Sequence, residues 1–187
     1  NILKVCSTNL ELINTDIASL ENMIADENPD VLLLMEVTNS WMAKLKTSLI
    51  SNIYPHRIEY PQDGYFGIVL YSKYKLSNTE IIKSGKYQLA SIKADISTNS
   101  KKITILGTHP PPAISKEHFK LRNEQYKQLK EIVQKTGNPI ILMGDFNSTT
   151  HSAVLQQFFK NTSLKDSRYG FGLQPSWSIY NLSLIHI

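Results

Sequence analysis

Cysteine is almost missing. Cys6 stands alone in 187 residues, so no internal disulfide can staple the fold. Its place in an apolar run reads as a small buried hydrophobe. No stretch is long and apolar enough to span a bilayer, and no secretory leader is evident. Lys and Arg never gather into the dense cluster that marks a nucleic-acid footprint. Lys plus Arg number 20 against 16 for Asp plus Glu, a formal charge of +4. That mild excess suits a polyanionic ligand without requiring one. Disorder is excluded by the 41% hydrophobic content. Repeats of solenoid period and low-complexity linkers are also lacking, so the chain reads as one domain. A starting Met is absent too. The chain begins at Asn1 and is read as an excised piece.

What is present alternates in period. Ile2 to Cys6 reads as a strand ending in Ser7-Thr8-Asn9. Ile13, Ile17, Leu20 and Ile24 recur at helical spacing until Asn28-Pro29. Val31 to Met35 is a continuous apolar run, as expected of a strand buried on both faces, and it stops at Glu36. A helix is expected over Ser40 to Ile50. Strand, helix, strand, helix implies parallel pairing in a first layer. Successive strands are then expected at Tyr54–Tyr60, Gly67–Tyr71, Ser77–Ile82, Tyr87–Ile96 and Lys102–Thr108, with antiparallel neighbours where connections are short. Gly64-Tyr65-Phe66-Gly67 reads as a buried strand start rather than a loop with an exposed aromatic. A long helix is expected over Ser115 to Lys135, with Phe119, Arg122, Tyr126, Leu129 and Val133 along one side. Pro139 to Met143 reads as another buried strand, and His151 to Lys160 as a helix.

Polar residues collect where apolar strands stop: Asn9, Glu36, His109, and Asp145 with Asn147. The segment Gly144-Asp145-Phe146-Asn147 places a carboxylate and a carboxamide at i and i+2, on one side of an extended segment. Alone it reads equally as an Asp/Asn turn bonding its own backbone. Glu36 alone could be a solvated strand end, Asn9 a turn former and His109 a loop residue before Pro110-Pro111-Pro112. Together they favour a site. A carboxylate with amide and water oxygens suits Mg²⁺, with Mn²⁺ as the alternative. An Asn NH₂ can hold a phosphate oxygen, and a His beside it can donate a hydrogen bond or a proton.

These residues resemble the endonuclease/exonuclease/phosphatase family of deoxyribonuclease I-like enzymes. Asn9 after a strand resembles its first motif. Pro29-Asp30-Val31 through Met35-Glu36-Val37 is similar to its PDxxxLQEV motif, with Met35 in the Gln position. Gly107-Thr108-His109-Pro110 and Gly144-Asp145-Phe146-Asn147 resemble two more. The resemblance implies an α/β (α+β) fold, a two-sheet β-sandwich flanked by helices in four layers. It implies a metal-dependent phosphoesterase. Glu36 would be the principal metal ligand and Asn9 would support the metal and phosphate site. Asp145 would orient or activate water, Asn147 would hold the scissile phosphate, and His109 would be a phosphate donor or general acid. Arg122 and Gln125 lie near the site or form a helix face packed on the sheet. Substrates across the family include nucleic acid, phospholipid headgroups and small phosphodiesters, and fold does not choose among them. No protein partner is evident. A non-catalytic binding module with the same fold is the alternative.

A narrower likeness, carried by Thr108 to Ala113, Arg122 to Gln125, Leu164-Lys165-Asp166 and Gly172 to Trp177, points to a bacterial subgroup whose catalytic domain follows N-terminal membrane helices. Two later family motifs, an Asp-His pair and a Ser-Asp-His, are not found after Trp177. Leu182 to Ile187 resembles a translated sequencing adapter, so residues 1–181 read as the domain and 182–187 as a non-native tail. The last strands of the second sheet are then expected to be missing, leaving an unpaired edge. Residues 1–187 expressed alone are therefore expected to aggregate, whereas a soluble, cooperative thermal transition would count against this reading.

Overall fold

The computed structural model describes residues 2–98, 101–149 and 151–167. The chain runs β1 (Val5–Asn9), α1 (Ile17–Glu27), β2 (Val31–Met35), α2 (Asn39–Thr47), α3 (Ile50–Ile53), β3 (His56–Tyr60), β4 (Ile68–Ser72), β5 (Leu76–Ser84), β6 (Leu89–Ser97), β7 (Lys102–Thr108), α4 (Lys116–Lys135), β8 (Ile140–Gly144) and α5 (Ala153–Lys160). Two four-stranded sheets result, ordered β1-β2-β4-β3 and β5-β6-β7-β8. Each has one parallel pair, β1 with β2 and β7 with β8, and is otherwise antiparallel.

Side-chain alternation along the strands builds the layers. In β2, Leu32 and Leu34 face outward and pack with Leu20 and Ile24 of α1, Trp41, Met42 and Leu45 of α2, and Ile50 of α3. Val31, Leu33 and Met35 face inward and meet Ile92, Ala94, Ile105 and Met143 of the second sheet. The second sheet's outer face, with Ile82 and Leu106, is covered by Tyr126, Leu129 and Val133 of α4 and by Leu155 and Phe158 of α5. The order is helix, sheet, sheet, helix. The sheets approach closely at Gly107, where an added Cβ would lie 2.5 Å from Leu33 Cδ1. No helix among the described residues is long and apolar enough to cross a membrane.

Local chemistry sets the helix ends. Asp16, Thr38, Ser115 and Ser152 each accept a backbone N–H from the first turn of the helix they precede. Asn28 ends α1 in the left-handed conformation, φ 44°.

Several boundaries differ from expectation. The first strand begins at Val5 and includes Ser7, Thr8 and Asn9, because the ladder with β2 runs from Val5–Val31 through Asn9–Met35 whatever the side chains are. Ile13 lies outside α1 and is 89% exposed. The expected second helix divides into α2 and the short α3, with Ser48 extended between them. Gly64 to Phe66 is a turn, and Tyr65 is exposed. Cys6 is only partly buried, packed against the first helical layer with Met23. Along α4, Phe119 is half exposed while Leu121 and Gln125 are buried. The expected missing strands and adapter tail lie outside the described residues.

One buried charge ties the second sheet together. Asp95 of β6 is 5% exposed. It accepts from Thr104 Oγ1 at 2.6 Å and Asn78 Nδ2 at 2.8 Å, with Lys102 Nζ at 3.2 Å. Burial alone would raise its pKa, but these three partners outweigh it and hold the carboxyl below the ordinary range. A depressed pKa contributes stability above the unfolded value, lost as pH falls through the folded value. Asp95→Ala is therefore expected to cost about 1–3 kcal/mol at neutral pH. Urea unfolding should show the gap between variant and parent narrowing as pH drops below about 4.

Candidate active site

Residues expected to form the site leave the sheets through strained backbone. Glu36 follows β2 with φ 59°, and Asn147 follows β8 with φ 45°. A non-glycine residue in this region is uncommon and stays there only where its surroundings hold it. For Glu36 the restraint is visible. Its Oε1 accepts from Asn9 Nδ2 at 2.7 Å and its Oε2 from Leu12 N–H at 2.9 Å. Asn9 Oδ1 in turn accepts from Glu11 N–H at 2.9 Å. The amide of Asn9 is thus spent on aiming the carboxylate.

From the second sheet come His109, Asp145 and Asn147. β8 ends at Gly144, so Asp145 to Asn147 is a turn and not the extended segment the spacing implies. Asp145 Oδ1 accepts Asn147 N–H at 2.9 Å, which closes the turn, and Asn147 Nδ2 donates to the Pro110 carbonyl at 2.9 Å. The turn reading and the convergence on one place therefore hold together. Gly144 sits at φ 139°, and an added Cβ would strike the Thr108 carbonyl oxygen. Only glycine lets β8 pass its neighbour there before the turn.

His109 is buried, and among the described residues its Nδ1 has no partner. Burial pushes its pKa below the ordinary value, while Asp145, Glu36 and the Tyr65 backbone pull the other way. Both carboxylates are thus close enough to act on one imidazole, although they belong to different sheets. Phe66 lies tilted beside the imidazole, with ring centroids 6.4 Å apart.

Helix α4 braces the turn from behind. Tyr126 donates its phenolic O–H to the Phe146 carbonyl at 2.9 Å and stacks on the Phe146 ring. Burial raises its pKa to about 12. Arg122 donates from Nη1 to Ser148 Oγ at 3.3 Å, with its guanidinium over the Phe119 ring. Gln125 is fully buried and donates from Nε2 to Ser91 Oγ and Thr108 Oγ1, each at 3.1 Å. Arg122 thus reaches the turn after β8, and Gln125 lies behind Thr108. The roles of Tyr126 and Phe66 were not legible in the sequence, where an aromatic at helical or strand spacing signals only core. Another unread contact joins the sheets: Asp145 N–H points at Met35 Sδ, 3.0 Å away.

Among the described residues no three His, Cys, Asp or Glu side chains gather as a metal cluster. One pre-aimed carboxylate with amide and backbone groups around it does not fit zinc, which is held by several His, Cys, Asp or Glu side chains together. It fits Mg²⁺, which keeps most of its waters and needs only one or two carboxylates.

Two mixed sheets packed face to face, helices on both outer faces and polar side chains converging at strand ends define a deoxyribonuclease I-like α+β sandwich. The chain belongs to the endonuclease/exonuclease/phosphatase family, whose sequence model matches residues 6–183. No curated protein matches it. Among solved structures it resembles D. rerio TDP2 complexed with a single-strand DNA product, at 22% identity and TM-score 0.69, covering 84% of this chain and 64% of that one. It resembles sphingomyelinase C from Streptomyces griseocarneus at 20% identity and TM-score 0.68, covering 88% and 70%. It also resembles a Staphylococcus aureus beta toxin variant with bound magnesium ions, at 19% identity and TM-score 0.66, covering 88% and 71%. The chain thus spans less than two thirds of the TDP2 chain's length.

The Gly144 crossing gives a stability test. Gly144→Ala is expected to lose about 2–4 kcal/mol through backbone strain and overlap. Gly137→Ala, whose Cβ meets nothing within 4 Å, should stay within about 0.5 kcal/mol of the parent in the same urea titration.

Proposed function

We propose that this chain carries the catalytic site of a metal-dependent hydrolase of phosphoric esters, phosphodiesters above all, with Mg²⁺ as cofactor and Mn²⁺ as substitute. The observation that carries it is the convergence of Glu36, aimed by Asn9, with His109, Asp145 and Asn147 from the opposite sheet. Magnesium in the beta toxin and a DNA product in TDP2 support the same reading.

Each residue has work its geometry allows. Glu36 is the metal ligand and Asn9 keeps its carboxylate in place. A cation there would draw charge from a phosphoryl oxygen. Asp145 has one oxygen committed to Asn147 N–H, which fixes the carboxylate and leaves the other oxygen to orient water and accept its proton. Asn147 uses one amide hydrogen on Pro110 and keeps the second for a phosphate oxygen. His109, held neutral by burial, donates an N–H to the phosphate. Residues 1–181 form this unit. The Asp-His and Ser-Asp-His motifs that the family resemblance implies would add its remaining base, so residues 1–187 alone should show little turnover. Nucleic acid, a phospholipid headgroup and a small phosphodiester all remain compatible with these five residues.

In a chain that carries both later motifs, Glu36→Ala and Asp145→Ala should each lower kcat by about 10²-fold or more. The readout is Mg²⁺-dependent release of p-nitrophenol from methyl p-nitrophenyl phosphate. Undiminished turnover in both variants would overturn the assignment.

A further inference from the structure

Met35 is where three site-bearing strands meet. It ends β2 and is followed directly by Glu36. Its carbonyl accepts at 3.0 Å from the N–H of Leu10, the first residue beyond β1, which ends at Asn9. Its thioether accepts at 3.0 Å from the N–H of Asp145, the first residue beyond β8. Met35 is 2% exposed and lies in the layer between the sheets with Ile68 and Met143. One buried residue thus touches the strand exits that carry Asn9, Glu36 and Asp145.

We propose that Met35 is a positioning residue, whose thioether sets where Asp145 stands relative to Glu36. The proposal rests on the phosphoesterase reading above, in which a cation at Glu36 and a water at Asp145 must meet at one phosphate. Met35 touches neither. It acts by placing the carboxylates that do. A misplacement of about 1 Å in such a pair costs up to roughly 10²-fold in rate.

Burial dictates this residue type only in part. An aliphatic side chain would fill the same apolar layer, but it would turn carbon toward the Asp145 N–H. A thioether is apolar enough for a dry layer and still accepts a hydrogen bond. That bond is weak, so its effect falls on placement more than on the stability of the fold. Glu36 is held separately. Asn9 Nδ2 and Leu12 N–H fix its carboxylate, so loss of the thioether should move Asp145 and leave the metal ligand where it is.

The test compares Met35→Leu, which keeps the apolar volume and loses the acceptor, with Met35→Gln, whose Oε1 restores one. The chain used carries both later motifs, and urea unfolding gives the folded fraction to which kcat is referred. Met35→Leu should lower kcat on methyl p-nitrophenyl phosphate about 10-fold, with KM and the Mn²⁺ dissociation constant within about 2-fold of the parent. Amide hydrogen exchange at Asp145 should quicken about 5-fold or more. Met35→Gln should recover most of the lost kcat. An unchanged kcat in Met35→Leu would overturn the proposal, and so would an equal loss in both variants, which marks a packing defect. A parallel fall in Mn²⁺ affinity would overturn it too, because Met35 would then act on Glu36. Failure of the phosphoesterase reading looks different: the parent itself hydrolyses no ester. The Asp145 amide still decides in that case, and an exchange rate unmoved by Met35→Leu overturns the proposal.

Discussion

Strand β2 has water on neither face, and the rest of the molecule is arranged by that fact. Val31 through Met35 are between 0% and 2% exposed. Outward residues anchor the first helical layer and inward residues anchor the second sheet. At about 1.5–3 kcal/mol per fully buried large side chain, the burial of this one strand is comparable to a domain's net stability. The backbone can turn toward solvent only where β2 ends, and Glu36 is the first residue to do so. Its carboxylate is polar at the edge of a fully dry strand, so its two oxygens must find donors, and Asn9 and Leu12 provide them.

The same logic explains which parts of the fold were legible. The continuous apolar run of β2 gave its correct limits, because burial on both faces leaves no other pattern, and β-branched residues did the same for β7. The two-sheet sandwich with helical flanks follows from the family resemblance, and the observed layers agree with it. Boundaries failed where backbone pairing ignores side-chain polarity. Ser7, Thr8 and Asn9 look like a strand's exit yet form the second half of its ladder. On α4, Phe119 was read as core and is half exposed, whereas polar Gln125 is buried with its amide on Ser91 and Thr108. Apolarity predicts burial on average, but a polar side chain goes inside when two hydroxyls wait for it.

For the candidate site, residue types at strand ends were enough to gather Asn9, Glu36, His109, Asp145 and Asn147 in one place, and the structure brings them together. What the sequence could not carry was the division of labour inside the turn. The Asp/Asn turn reading did anticipate Asp145 closing on Asn147 N–H, but that Asn147 reaches Pro110 depends on a left-handed residue and on Gly144 passing Thr108. At Tyr65 the loop with an exposed aromatic ranked below a buried strand start, and the loop is what forms. Its aromatic residues resemble a strand's, and only the turn geometry exposes one ring while setting the next beside His109.

The contact between Asp145 N–H and Met35 Sδ joins the last inward residue of one sheet to the first residue beyond the other. A thioether is a weak acceptor and a flexible side chain. The two halves of the site are therefore registered mainly by the interlocking of apolar surfaces, with little directional bonding across the seam. Such a seam fixes distance well and sliding poorly. Small shears of one sheet over the other would alter the spacing between Glu36 and Asp145 while leaving every hydrogen-bond ladder intact. The packing at Gly107 and Leu33, well inside the sandwich, thereby becomes a mechanical determinant of the geometry at its rim.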